Sequence, residues 1–411
     1  MWLYLLIFFI PVLAFYAQGK NPRQKSFLIM YMMFLAFFVG MADMFGGYDR
    51  YIYCDIFDAI ANVTTRHESY LANNVFRYFP SERGFIYLNI LISFFTENRY
   101  IYVLTITLLI YFLLFQSFKK YANNYAFAMI MFMGLWFYFS FTYLRQVLGA
   151  SIAWLSIKYI IERKPWKFLL VMLIAISVHK SAIILIPAYF VPLKKYHPRN
   201  ILYAMVLVAI LGITPIPNAI FSTYGDISVV EMQGDYNSSS SFRFAYALEA
   251  FCFLYIILKR YKYIPNNNLN LVMLNLALFF CATLLFFVRS PNGGRLSWYF
   301  MLGLIITISN VVSVGRGQKN WSMLLIVLCL FLNMRIFLSW QHGYLLYPYK
   351  TFLTNGVRSV DKVSRKFEYD KQYAQQVLSG AFPTRYQSKA IKQLFGCPVV
   401  AKGICVCVSL L

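Results

Sequence analysis

The residues best suited to chemistry lie inside the most apolar stretch of the sequence, residues 141–190. Arg145 and Gln146 stand in the segment YLRQVLGA, and His179 stands in the segment SVHKSA. An ionisable side chain at membrane depth is costly, so by default it marks a functional site facing protein or a wet cavity. A helix from the basic loop 163–167 puts His179 roughly 18 Å away, inside a ~30 Å hydrocarbon layer. Arg145, Gln146 and His179 are therefore the centre of a candidate site.

A small set of polar residues is expected on the outer side of the membrane with this centre. Guanidinium groups bind phosphate in a bidentate manner and neutralise a departing pyrophosphate. A histidine or a carboxylate can accept the proton of an attacking hydroxyl. This combination predicts an anionic, phosphate-bearing substrate, and it needs no metal and no cofactor. Besides the centre, the set contains Asp49 in GGYDRYIY, Glu82 in SERGFIYLN, Arg243, Arg289, Arg295 in GGRLSWYF, and Tyr349 with Lys350 in YPYK.

Several of these residues also have a purely structural interpretation. Asp49 follows Gly46-Gly47 and could close a turn. Glu82 could cap a helix that begins near Gly84, and Arg295 could anchor a helix end at the membrane interface. The many Tyr and Trp residues near the ends of apolar segments are interpreted mostly as interfacial belts. The sequence alone leaves these alternatives open.

Composition identifies the class of protein that holds the site. The 411 residues are 60% hydrophobic and only 13% charged, whereas soluble domains carry about 25% charged residues. The chain is therefore an integral membrane protein. The net charge of +23 could suggest nucleic acid, but most basic residues stand in short loops between apolar segments and indicate membrane orientation instead.

Apolar segments predict an all-α, polytopic fold with about ten spanning helices. The basic loops between them place the cytoplasmic side and predict that the N-terminus is outside. The small residues Gly149, Ala153 and Ser156 share one face of their helix and favour close packing against another. The predicted spans are 1–16, 26–43, 100–117, 124–142, 146–161, 200–221, 243–258, 269–288, 295–314 and 321–340.

The segment 168–191 lies between two basic loops, so it should enter the membrane and return on the same side. We expect a re-entrant hairpin of two short helices with His179, Lys180 and Ser181 at its tip. One continuous tilted helix is the alternative, and it would invert the rest of the chain. The outside loops are then 44–99, with a short interfacial or re-entrant helix at 84–95, and 222–242. Residues 1–352 form the membrane domain, and 353–411 form a basic tail to which the sequence assigns no role.

Several of these blocks together resemble the EpsG-type polytopic proteins of bacterial surface-polysaccharide clusters, which are related in role to Wzy-type O-antigen polymerases. The likeness is carried in order by GGYDRYIY, SERGFIYLN, YLRQVLGASIAWLSIKYI with KFLLVMLIAISVHKSA, GGRLSWYF and YPYK. It runs from about residue 1 to 352, and the RQ and HKSA blocks are its most specific part.

The resemblance implies a GT-C-like helical fold and a glycosyltransferase that polymerises oligosaccharide repeat units. The substrate would be carried on undecaprenyl pyrophosphate at the outer face of the bacterial inner membrane, without a nucleotide sugar. The product would be O-antigen lipopolysaccharide, capsule or exopolysaccharide. Partners would be membrane lipid and other polysaccharide-assembly proteins, but no nucleic acid.

On this hypothesis, Arg145 and Arg295 bind the donor pyrophosphate, with Arg243 and Arg289 in reserve. His179 or Asp49 acts as the general base, and Gln146, Ser181 and Glu82 contact the substrate. The alternatives are a flippase for the same lipid-linked oligosaccharide, a transferase or ligase that adds one unit and stops, and a scaffold for an export complex.

Overall fold

The computed structural model describes most of the membrane domain and little of the tail. The predicted loop 222–242, apart from its last residue, lies outside the described residues, as do Lys350 and nearly all of 353–411. The described residues are 1–19, 21–42, 48–217, 242–290, 293–312, 317–341, 346, 349, 351–353, 399–401 and 404–406.

Helices make up the described membrane domain, as the sequence predicts. Fifteen α-helices can be traced in the described ranges: α1 Trp2–Ala17, α2 Lys25–Gly40, α3 Tyr48–Thr65, α4 Arg83–Ser93, α5 Arg99–Tyr121, α6 Tyr125–Leu135, α7 Phe139–Thr142, α8 Leu144–Ile161, α9 Pro165–Val178, α10 Pro187–Phe190, α11 Pro198–Ile213, α12 Phe244–Lys259, α13 Asn268–Phe286, α14 Met301–Val312 and α15 Gln318–Gln341.

Four 3₁₀ helices and one strand pair complete the described elements. The 3₁₀ helices are Val75–Arg77, Lys180–Leu185, Tyr261–Tyr263 and Gly293–Phe300. In the tail, β1 Val399–Ala401 pairs antiparallel with β2 Ile404–Val406 in the register Val399 to Val406.

Four helical stretches in the described ranges are long and apolar enough to cross a bilayer. They are Arg99–Tyr121, Asn268–Phe286, Gly293–Val312 and Gln318–Ser339. Seven further apolar helices of 10–17 residues are shorter than this. The chain is thus a helical membrane protein.

The predicted span 124–142 is wrong as one continuous helix, because α6 ends at Leu135. A polar side chain explains how a helix can end at this depth. The Asn333 amide nitrogen donates to the carbonyl of Met133 at 2.7 Å, and its amide oxygen accepts from the Tyr138 hydroxyl at 3.1 Å. The end of a helix leaves backbone carbonyls without an intrahelical partner. The Asn333 side chain supplies a partner for one of them, the carbonyl of Met133, inside the protein.

The chain divides into two compact units. The first unit contains residues 1–35, 109–138 and 145–335. Its core includes the neighbouring helices α13 and α14, which approach closely where Gly303 meets Leu276. A Cβ at position 303 would collide with the Leu276 side chain, so glycine is needed for this contact.

The predicted hairpin in the first unit is confirmed as a fold, while its re-entry into the membrane stays a prediction. Its two ends meet, because the Arg163 guanidinium donates to the carbonyls of both Tyr189 and Val191. The rings of Phe168 and Tyr189 stack beside this contact, with their centroids 5.0 Å apart. The chain therefore runs along α9, turns at His179 and returns through Lys180–Leu185 and α10, so that the end of α10 lies beside the start of α9.

The second unit contains residues 36–108, 139–144 and 336–411. The predicted outside loop 44–99 contains two helices, α3 and α4, and the sequence predicted only the second of them. Residues Ile52, Ile56, Ile60 and Val63 recur at helical spacing on α3, and this stripe packs against Val75 and Ile86. The short helix predicted at 84–95 is confirmed as α4, of 11 residues.

Candidate functional site

A polar cluster forms at the hairpin tip, where α9 ends. His179 leaves the helix with an extended backbone, at φ −148° and ψ 115°. Its Nδ1 lies 2.6 Å from the Ser181 Oγ and 3.1 Å from the Tyr299 hydroxyl. The two hydroxyls are themselves 2.9 Å apart. Three groups that can exchange protons thus form a closed hydrogen-bonded ring, which we call the His179 cluster.

Helix α8 lies directly against this tip. A Cβ added to Gly149 would stand only 2.8 Å from the His179 Cβ, so glycine allows the close approach. Two turns further along the same face, Ser156 contacts the Met172 sulfur of α9 at 3.4 Å. The predicted packing stripe is confirmed. Arg145 lies one helical turn before Gly149, so it stands on the face of α8 that meets the hairpin tip.

The 3₁₀ helix Gly293–Phe300 is fixed to α8 by two side-chain hydrogen bonds. The buried Gln146 amide donates to the carbonyl of Arg295 at 3.1 Å. The buried Trp154 indole donates to the carbonyl of Tyr299, also at 3.1 Å. Gln146 thus positions the residue that we expected to bind pyrophosphate. In the structure, the Gln146 side chain bonds the protein backbone, whereas the sequence suggested that it bonds the substrate.

A second polar group lies at the start of α12, around Tyr246. Arg243 and Arg295 are both electrostatic neighbours of the Tyr246 hydroxyl, which also accepts a hydrogen bond from the Gly294 backbone. The Arg243 Nε is buried and has no hydrogen-bond partner among the described residues. Two guanidinium groups therefore converge on one short stretch, and one of them retains a donor suited to a phosphate oxygen.

The remaining arginine, Arg289, has a structural contact. Its guanidinium donates to the carbonyl of Ile213 at 3.0 Å, where α11 ends. An arginine at such a position satisfies a terminal carbonyl. The structure therefore gives Arg289 a role in helix capping.

The expected carboxylates Asp49 and Glu82 belong to the second unit. Asp49 lies in the first turn of α3, where the helix dipole favours a negative charge. Glu82 is buried and occupies the N-cap position of α4, but its side chain makes no capping hydrogen bond there. Their membership of one site with His179 stays a prediction. The neighbouring Arg50 is also buried, and it donates to the carbonyls of Val39 and Ala42 at the end of α2.

Helix α3 carries an acidic pair on one face. Asp58 forms an ion pair with Arg99. Asp55 lies one turn earlier on that face, and burial raises its pKa to about 7, against the opposing effect of the Arg99 charge. The Asp55 carboxyl can therefore hold a proton at neutral pH. No group of three or more metal-ligating side chains is found within the described ranges.

Sequence reasoning missed Tyr299, Trp154, Tyr246 and Asn333. The two tyrosines stand near the ends of apolar segments, where aromatic residues commonly form interfacial belts, and Trp154 stands inside an apolar helix, where it resembles any packing residue. Tyr299 was visible in the block GGRLSWYF, but nothing in one sequence separates a belt tyrosine from one that bonds histidine. Asn333 gave a usable signal, because an amide inside an apolar helix needs a partner.

Comparison with known proteins gives one match. No curated protein and no solved structure matches the chain. The sequence model of the EpsG family matches residues 25–351, which is more than half of the chain and includes the His179 cluster and both arginine-bearing elements beside it. This chain therefore belongs to the EpsG family.

Proposed function

We propose that this protein polymerises oligosaccharide repeat units carried on a polyprenyl pyrophosphate, at the outer face of the cytoplasmic membrane. The proposal includes an arrangement of about ten spans of GT-C-like type. Membership of the EpsG family points to a membrane protein of polysaccharide assembly. The single observation that supports transfer chemistry is the His179 cluster, held at the tip of the hairpin beside the arginine-bearing face of α8.

In this proposal, arginines bind the donor, which is the repeat unit that leaves its lipid pyrophosphate. Arg145 and Arg295, with Arg243, bind the pyrophosphate and stabilise the negative charge that develops as it leaves. Two of the three flank Tyr246 and Gly294, so a phosphate between them would meet donors fixed before the reaction begins. The bond between the donor sugar and the pyrophosphate oxygen breaks, and polyprenyl pyrophosphate departs.

In this proposal, His179 is the general base that acts on the acceptor sugar. A sugar hydroxyl of the acceptor forms the new glycosidic bond, and its proton passes to the imidazole. Ser181 and Tyr299 hold the ring through Nδ1, and in this proposal Nε2 is the atom that receives the proton. Asp49 is the alternative base, with Glu82 as a substrate contact in the same second unit.

Reconstitution tests the proposal. The full chain, in liposomes with lipid-linked repeat units, should lengthen them, and His179→Ala should reduce the rate by about 10²–10⁴-fold, the usual contribution of a general base. His197→Ala, in an exposed turn before α11, is the matched control and should retain the rate. Normal chain length from His179→Ala would exclude His179 as the base.

Other outcomes identify the alternatives. Movement of substrate across the bilayer without lengthening would indicate a flippase, as broken helices also occur in transporters. A single added unit would indicate a ligase. In cells lacking the protein, complementation with Arg145→Ala should leave a ladder collapsed to one repeat unit, and wild type should restore it.

A further inference from the structure

The first unit contains a polar cavity at the end of α8 opposite to the His179 cluster. It has a volume of about 430 Å³ and lies between the loop after α1, the last turn of α5 and the last turn of α8. Lys158 at this end of α8 is 13 positions from Arg145, or roughly 20 Å along the helix. The cavity is therefore separate from the His179 cluster.

Four cations surround the cavity: Arg23, Lys119, Lys120 and Lys158. All four side chains are exposed at the rim. One carboxylate lies nearby, since the Glu162 Oε1 is 3.7 Å from the Lys158 ammonium, but the other Glu162 oxygen is 2.9 Å from Lys164 outside the lining. The rim therefore retains an excess of positive charge.

The wall of the cavity holds a polar group that the protein itself does not satisfy. Ser117 is only 1% exposed and lines the cavity, yet its hydroxyl has no hydrogen-bond partner within the described ranges. A helical serine commonly bonds a carbonyl of the preceding turn, and buried polar atoms are nearly always paired. Gln116 beside it adds an amide to the same lining.

We propose that this cavity binds a phosphate group, with the cations neutralising its charge and the Ser117 hydroxyl donating to one of its oxygens. The charge pattern predicts that this end faces the cytoplasm, and Lys119 and Lys120 stand where α5 leaves the bilayer. Basic pockets between helices at this level suit the headgroups of acidic lipids. The phosphate can come from such a headgroup or from free phosphate.

The test titrates the full-length protein, purified in a neutral detergent, with three probes: short-chain phosphatidylglycerol, phosphatidylcholine of equal chain length, and inorganic phosphate. Binding to the folded state raises the thermal midpoint, and the rise grows with the logarithm of the ligand concentration once that concentration exceeds Kd. Phosphatidylglycerol should raise the midpoint at low salt and phosphatidylcholine should not. A shift with inorganic phosphate alone would keep the site and assign it to a soluble ligand.

Variants decide whether the cavity is responsible. Each lysine near a lipid phosphate is worth about fivefold in affinity, so Lys119→Gln with Lys120→Gln should weaken binding about 25-fold. Ser117→Ala should weaken it severalfold while leaving the midpoint without ligand unchanged or higher, since its hydroxyl is unpaired in the free protein. Lys167→Gln, an exposed lysine outside the lining, is the control.

Three results would overturn the proposal. They are an equal shift with phosphatidylcholine, unaltered binding by both Ser117→Ala and the double lysine variant, and an equal loss in Lys167→Gln. Lys158→Gln is the second test of the rim, should the double variant fail to fold.

Discussion

At the scale of single residues, Tyr299 shows how the candidate base is held. Its hydroxyl contacts Ser181 and His179 at 2.9 and 3.1 Å, while its ring is fully buried. Tyr299→Phe keeps the ring and removes only the hydroxyl. We expect a loss of stability of about 1 kcal/mol and a roughly tenfold slower polymerisation, because the imidazole then loses a hydroxyl that helps to orient it.

Chain length on gels and the thermal midpoint measure these two effects separately. Tyr255→Phe is the matched control, because Tyr255 is 59% exposed on α12. Unchanged chain length from Tyr299→Phe would mean that the Tyr299 hydroxyl is not needed to orient His179. If Tyr299→Phe lowers the thermal midpoint as much as the truncation of a buried side chain to alanine would, the hydroxyl has a structural role only.

Asp55 gives a prediction about pH. Its pKa in the folded protein is raised to about 7, whereas an unfolded aspartate has a pKa of about 3.9. The folded state then binds more protons than the unfolded state, so stability falls as pH rises from about 4 to 7. The slope approaches 1.4 kcal/mol per pH unit inside that window. Asp58, Arg99, Arg50 and Cys54 are the charged and titratable neighbours.

The Asp55→Asn variant should remove this part of the dependence. Thermal midpoints measured from pH 4 to 8 should fall less steeply for the variant than for the wild type. Glu97→Gln, an exposed carboxylate of the same unit, should leave the slope as it was. Parallel curves for Asp55→Asn and the wild type would contradict the prediction.

The sequence predicted Arg145, Gln146, His179, Ser181 and Arg295, and the structure brings these residues to one end of α8. That prediction rested on their position within apolar segments, since a charged or polar group at membrane depth is costly and usually marks a functional site. The contact between Gln146 and the Arg295 carbonyl was beyond the sequence, because 149 positions separate the two residues. The partners of His179 were missed for the same reason, since Tyr299 is 120 positions away.

At the scale of elements, Arg163 joins the two ends of the hairpin formed by α9 and the segment that returns from His179. Its guanidinium bonds two carbonyls at the far end of the hairpin, and its backbone adopts a positive φ of 53°. Arg163→Gly removes the bonds and relieves the backbone, so any loss reports on the hairpin itself. We expect a loss of about 1 kcal/mol, seen as faster hydrogen exchange across residues 180–190. Arg199→Ala, which changes an exposed arginine in the first turn of α11, should leave that exchange unaltered.

Apolar segment lengths predicted the existence of most helices, and their boundaries were close. The predicted span 269–288 corresponds to α13, Asn268–Phe286, and the span 146–161 to α8, Leu144–Ile161. The end of α6 at Leu135 was missed, because the Asn333 amide that satisfies its carbonyl comes from a distant helix. Helix α3 was missed because its stripe is amphipathic and its acidic face resembles that of a loop.

At the scale of the whole molecule, the charge distribution predicts how the chain crosses the membrane. The net charge of +23 is concentrated in short basic loops, which the positive-inside rule places in the cytoplasm. Helix α9 is 14 residues long, so its basic start and the His179 cluster lie about 21 Å apart along the helix axis. If the start faces the cytoplasm, the cluster points toward the outer half of the bilayer, where an exported substrate is met.

Single cysteines test this orientation. Lys167→Cys stands at the basic start of α9, and Leu71→Cys stands in the second unit, where Leu71 is 77% exposed. A membrane-impermeant maleimide should label position 71 in intact cells, and position 167 only after permeabilisation. Both variants need a background in which serine replaces Cys252, Cys397, Cys405 and Cys407. Labelling of position 167 in intact cells would show that the orientation is the opposite of the predicted one. The His179 cluster would then face the cytoplasmic half of the bilayer, and polymerisation at the outer face could not depend on it.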